Sequence, residues 1–158
     1  MRKIMLKKVS FMVDFVNFKR YNKQTFGKRW DGSVLNIVLV EPEIPQNTGN
    51  IARLCASAGI HLNLIEPLGF KLEDRYLKRA GLDYWPHVRM DVWPDWDSWL
   101  AAATAENGGT PPRCVLTSAR GGEPLQHFAF APDDCLVFGP ETRGLPPEIL
   151  KRSPYRVR

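Results

Sequence analysis

Apolar residues along this chain fall into short runs separated by turn formers and by stretches with helical spacing. Leu35–Val40 is a run rich in β-branched residues, suited to a strand buried on both faces. Pro42 and Pro45 end it. Asn47-Thr48 then offers a helix N-cap, and Ile51, Ala52, Leu54, Cys55 and Ala58 carry the apolar stripe to a stop at Gly59. His61–Ile65 predicts a second strand, followed by Pro67-Leu68-Gly69. Leu72–Ala80 predicts a helix with Glu73 and Asp74 in its first turn and Lys78 and Arg79 in its last, matching the helix dipole. Gly81 closes it. Val88–Val92 predicts a third strand, and Trp96–Ala105 a helix with Trp96, Trp99 and Leu100 turned to the core. Arg113–Thr117 and Cys135–Phe138 predict a fourth and fifth strand, and Tyr155–Arg158 opens a sixth. This alternation predicts an α/β fold with a mostly parallel sheet.

Two stretches depart from plain strand-and-helix punctuation. In Leu136–Pro147 a short apolar strand meets Gly139-Pro140, a second glycine at 144, and Pro146-Pro147 at the start of a helix reaching about Lys151. A simple β-to-α turn would look like this. So would a ligand loop, because open α/β sheets bind at the carboxyl ends of their strands. In Glu41–Arg53, Asn47, Asn50 and Arg53 recur every third residue along one side of a helix start. Two amides and a guanidinium beside free N–H groups make a cradle for phosphate or ribose. The plainer alternative has Asn47 capping, Asn50 facing water and Arg53 paired with an acid such as Glu41. Glu41 and Glu43 alternate, so on extended backbone they face opposite ways and form a poor acid/base pair.

Charge divides the chain. Of 22 basic and 17 acidic residues, nine basic residues and one acid fall in residues 1–30, leaving 13 basic against 16 acidic residues in the body. A nucleic-acid site on that body must be a local patch. Residues 1–33 are read as a basic, poorly ordered extension: a targeting sequence, an RNA-binding arm, or upstream sequence foreign to the natural protein. The compact domain is expected from residue 34 to 158. Cys55, Cys114 and Cys135 have no Cys-x-x-Cys spacing, and His61, His87 and His127 stand apart, so neither disulfides nor a metal are expected. A reducing cytoplasm fits. No apolar run reaches membrane-spanning length, and there is no Walker-type phosphate loop, dinucleotide fingerprint or nucleophile elbow.

Taken together, Asn36–Arg53, Gly81-Leu82-Asp83-Tyr84-Trp85 and Phe138–Pro146 resemble the SPOUT-class tRNA 2′-O-methyltransferases, in the branch that modifies the wobble cytidine or uridine. The resemblance covers Val34 to Arg158. It implies a trefoil-knotted α/β domain, S-adenosylmethionine as methyl donor, tRNA as substrate, and a cytoplasmic homodimer without metal. It also implies roles for residues: Arg53 catalytic; Asn47 and Asn50 on the substrate side; Leu116, Thr117, Gly139, Pro140, Glu141 and Gly144 around the cofactor. Family members continue past the strand begun at Tyr155 with a further cofactor segment and a final helix. The domain is therefore expected to be C-terminally incomplete, and a non-catalytic remnant that at most binds RNA is the competing expectation.

Overall fold

The computed structural model describes residues 36–72, 87–131 and 133–158. Six parallel strands form one sheet: β1 (Asn36–Val40), β2 (His61–Ile65), β3 (Met90–Trp93), β4 (Cys114–Thr117), β5 (Cys135–Phe138) and β6 (Arg156–Val157), in the order β3-β2-β1-β5-β4-β6. Among the described residues three α-helices accompany them: α1 (Pro45–Ala58), α2 (Trp96–Glu106) and α3 (Pro147–Leu150). The predicted helix over Leu72–Ala80 and the Gly81–Trp85 motif lie, but for Leu72, outside the described residues. So do residues 1–33.

Alternation along each strand divides the core between the two faces of the sheet. Ile37, Leu39, Leu62, Leu64, Val115, Leu136 and Phe138 pack with Ile51, Ala52 and Cys55 of α1. Val38, Val40, Ile65, Leu116, Cys135 and Val137 pack with Trp96 and Trp99 of α2 and Ile149 of α3. A sheet covered on both sides requires strands apolar at nearly every position, and β1 and β5 are. The predicted strands therefore appear in place, with β3 shifted to Met90–Trp93 and ending at the residue before Pro94. All three cysteines are free and buried.

The start of α1 differs from expectation. Its N-cap is Ile44, with no side-chain cap, and Pro45 occupies the first turn. Proline lacks the N–H a cap would satisfy, and its fixed φ suits the first helical residue. Asn47 is thereby released from capping and sits inside the first turn, 1% exposed.

Strand order reverses between β1 and β5. From β1 the chain moves one way to β2 and β3, then returns to build β4, β5 and β6 on the other side. The loops leaving the carboxyl ends of β1 and β5 consequently emerge side by side at the switch point, where such sheets open a crevice.

Candidate active site

The loop after β5 folds back on itself. A Cβ at Gly139 would collide with Leu145 N and Gly144 C and lie 2.7 Å from Leu145 Cα, so only glycine fits. Gly144 adopts φ +73° and donates its N–H to Pro140 O at 3.0 Å. Nothing lies within 4 Å of where a Gly144 side chain would start, which leaves that backbone approachable.

The loop after β1 meets it through side chains. Glu141, 8% exposed, accepts the Asn47 Nδ2–H at 3.2 Å and the Glu43 backbone N–H at 2.9 Å. Glu43 in turn accepts the Thr142 N–H at 3.1 Å and its hydroxyl at 2.9 Å. Arg143 pairs with Glu41. Glu41 itself has φ 45°, the sole non-glycine residue in that region among those described. Such backbone is strained and persists where its surroundings fix it. Here the Glu41 N–H is held by Ile65 O at 2.8 Å. The turn at Glu41 breaks the alternation that would have sent Glu41 and Glu43 to opposite sides, and both carboxylates reach the β5 loop. The expectation that they face apart is overturned, and Glu41 pairs with Arg143.

The predicted site residues fall into three groups. Glu141, Gly139, Pro140 and Gly144 lie on the β5 loop, with the first three buried and Gly144 exposed. Leu116 and Thr117 end the neighbouring strand. Leu116 is fully buried opposite Val137, and the Thr117 hydroxyl donates to Val137 O at 2.9 Å. Along α1, Asn47 is buried, Asn50 half-buried and Arg53 exposed. The structure thus joins Asn47 directly to the β5 loop and leaves Arg53 further along the helix, beyond Asn50. Asn47 Oδ1 and Thr48 Oγ1 are buried without a hydrogen-bond partner among the described residues. Glu41, Glu43, Thr142 and Arg143 were missed from sequence. The available signal was a Glu-x-Glu directly after a strand, opposite a Thr-Arg inside a glycine loop.

Burial and polar lining alone would point elsewhere. A cavity of about 180 Å³ lies where the strands begin, lined by Asn36, His61, Asp91, Trp99 and Asp133 among others. His61 Nε2 and Asp91 Oδ2 are 2.8 Å apart there. None of the predicted site residues reaches it, and it sits at the end of the sheet opposite the switch point. The paired loops at the carboxyl ends remain the candidate. Thiolate chemistry is no competitor, because burial pushes the Cys55, Cys114 and Cys135 thiols up to about 12.

Residues 34–158 match the model of the SpoU rRNA methylase family. The chain belongs to that family. It is 50% identical over 125 residues to the tRNA (cytidine(34)-2′-O)-methyltransferase of Burkholderia cenocepacia, covering 79% of this chain and 78% of that protein. It is 46% identical over 121 residues to the enzyme of the same name from Escherichia coli K12, covering 77% and 73%. A solved structure described as giving "structural insights into the 2-OH methylation of C/U34 on tRNA" superposes with a TM-score of 0.72 at 46% identity, over 79% of each chain. The SpoU methyltransferase AviRb of Streptomyces viridochromogenes, solved with AdoMet, shares the fold at a TM-score of 0.69 and 24% identity, over 79% of this chain and 50% of that one.

Proposed function

We propose that this SpoU-family chain transfers a methyl group from S-adenosylmethionine to a ribose 2′-hydroxyl of tRNA, at the wobble cytidine or uridine. The observation that carries the reading is the buried Glu141–Asn47 contact, which joins the glycine loop after β5 to the first turn of α1 at the switch point. The 46–50% identity to the two relatives above, both named as enzymes of this activity, supports it along most of the chain. A non-catalytic RNA-binding role has no comparable support.

The residues present fit the donor. Leu116 and Leu145 are buried in the cluster under α2 and α3, where they give the donor loop a packed apolar backing. Gly139 and Gly144 leave the loop backbone without side chains, and the open space at Gly144 admits close approach of a ligand. Leu116, Thr117, Gly139, Pro140, Glu141 and Gly144 would hold the group. When bound, S-adenosylmethionine supplies a methyl already activated on a sulfonium.

The chain must then orient the ribose hydroxyl and ease loss of its proton. Arg53 cannot serve as a literal base, because guanidinium stays protonated. Exposed on α1, it orients ribose or phosphate and stabilises negative charge developing on the 2′-oxygen. Asn50 flanks it on the same side of the helix. Asn47 ties that helix to the donor loop.

The same reading extends to a trefoil-knotted backbone, a homodimer, residues 34–158 as the methyltransferase domain with the basic residues 1–33 preceding it, and action in the cytoplasm where tRNA is modified. The test is incubation of the protein with labelled S-adenosylmethionine and unmodified tRNA, followed by mapping of the product. A 2′-O-methyl group at the wobble position is expected. Arg53→Lys should cut methylation on the order of 100-fold while leaving S-adenosylhomocysteine binding intact. Full activity of Arg53→Lys would remove that role, and methylation at a base atom would overturn the ribose reading.

A further inference from the structure

Five contacts cross between the loops after β1 and β5, joining residues 94–102 positions apart in sequence. They are reciprocal. The Glu43 N–H donates to the Glu141 carboxylate, while the Thr142 N–H and hydroxyl donate to the two oxygens of the Glu43 carboxylate. Each loop thus supplies a carboxylate to the other's backbone.

The β1 loop is fixed independently of this exchange. A Cβ on Gly69 would lie 2.8 Å from Glu43 Cα and from Glu43 O, so the segment after β2 presses directly on Glu43. The Gly69 N–H donates to Pro42 O at 2.9 Å, and the Glu41 N–H to Ile65 O at 2.8 Å. Glu43 therefore projects from an anchored backbone. Thr142 and Arg143 are exposed, on a loop closed by the Gly144 N–H to Pro140 O bond. The anchored partner sets the shape of the other one.

We propose that Glu43, assisted by Glu41, is a positioning residue: it latches Thr142 and Arg143 so that the Gly139–Gly144 loop is held in its donor-binding shape by the segment leading into the substrate-side helix. This rests on the methyl-transfer reading and adds to it a device coupling the two halves of the site. Charge-assisted bonds to backbone N–H groups are strong enough to select a loop conformation. Exposed pairs, by contrast, contribute little to global stability. A latch and a merely structural contact can therefore be told apart.

Glu43→Gln retains size but cannot accept both Thr142 bonds with carboxylate strength. It should weaken S-adenosylhomocysteine binding about tenfold, and raise the KM for S-adenosylmethionine in step, with the urea midpoint unchanged. Hydrogen exchange at the Thr142 amide should accelerate while the amides of β1 and β5 stay protected. Thr142→Ser keeps hydroxyl and N–H and should restore wild-type affinity where Thr142→Val does not. Exchanging the ion pair, Glu41→Arg with Arg143→Glu, should recover binding lost in either single variant. Wild-type affinity together with unchanged Thr142 exchange in Glu43→Gln would overturn the latch. If the wild-type protein binds no S-adenosylhomocysteine, the methyl-transfer reading falls instead. The Thr142 exchange rate alone then decides: faster in Glu43→Gln supports the latch, and equal rates refute it.

Discussion

Glycine at 139 and glycine at 144 serve the same loop by different physics, and substitution separates them. At Gly139 the obstacle is backbone: an added Cβ collides with Leu145 N and Gly144 C, neither of which can swing aside as a side-chain tip could. Gly139→Ala should therefore cost on the order of 2–3 kcal/mol and abolish donor binding. At Gly144 the space is open and the obstacle is φ +73°. Gly144→Ala should cost about 1 kcal/mol, and Gly144→Asn less, because asparagine tolerates left-handed backbone. Urea unfolding of the three variants, with S-adenosylhomocysteine titration alongside, checks the ranking. A milder Gly139→Ala than Gly144→Ala would refute it. Both glycines were legible in the sequence as loop punctuation. Which one is irreplaceable was not, because the decisive neighbours, Gly144 and Leu145, lie five and six residues further on and come close only when the loop closes. Glu41 shows the same limit. An alternation argument assumes extended backbone, and one residue at φ 45° is enough to cancel it.

At the scale of elements, strands were legible because a sheet covered on both faces demands nearly unbroken apolar runs; β1 and β5 supply them, and β2 does so apart from His61 and Asn63. Helix starts were less so. At α1 two signals competed, Asn47-Thr48 as a cap and Pro45 as a first-turn residue, and the proline prevailed. At α2 the cap is Asp95, whose Oδ1 accepts the Ser98 N–H at 2.7 Å. That backbone bond, reinforced by the Ser98 side chain, holds the Asp95 carboxyl below its usual 3.8. A depressed carboxyl pKa contributes stability above the unfolded value, and the contribution is lost as pH falls through the folded one. Asp95→Ala should thus lower the urea midpoint at pH 7, and Asp95→Asn, still a good cap, should lower it less. The gap between wild type and Asp95→Ala should narrow at pH 3. A gap that is constant with pH would mean the carboxylate is not the capping group. Trp96 and Trp99, with ring centroids 4.8 Å apart, pack α2 onto the sheet regardless, so loss of the cap should fray the first turn rather than detach the helix.

For the whole molecule, the sheet's two packed faces share one vulnerability, which is alkaline pH. Cys55 lies in the cluster under α1, and Cys114 and Cys135 are register partners in the cluster under α2 and α3. Burial raises all three thiols from 9.0 to about 12, and the nearby Asp134 carboxylate adds to the rise at Cys114 and Cys135. Between these values the unfolded chain has released its thiol protons and the folded chain has kept them. Fewer protons bound in the unfolded state means that stability falls with pH, by about 1.4 kcal/mol per pH unit for each such thiol. The stabilisation is fully present below pH 9 and is lost progressively towards 12. Lysines and tyrosines titrate in the same range, so the slope must be read as a difference. Cys55 isolates it best, since its shift has burial as its single cause. Cys55→Ala should start less stable than wild type at pH 7, from the small cavity it leaves. It should then lose stability more slowly above pH 9, so that the two urea-unfolding curves converge by pH 10. In the native protein at pH 8 the three thiols should resist alkylation and become reactive together on unfolding, because a thiolate is the attacking form and the fold suppresses it. Parallel pH profiles, or rapid native-state alkylation of Cys55, would show that this interior admits water and that the buried core on the α1 side is looser than its packing indicates.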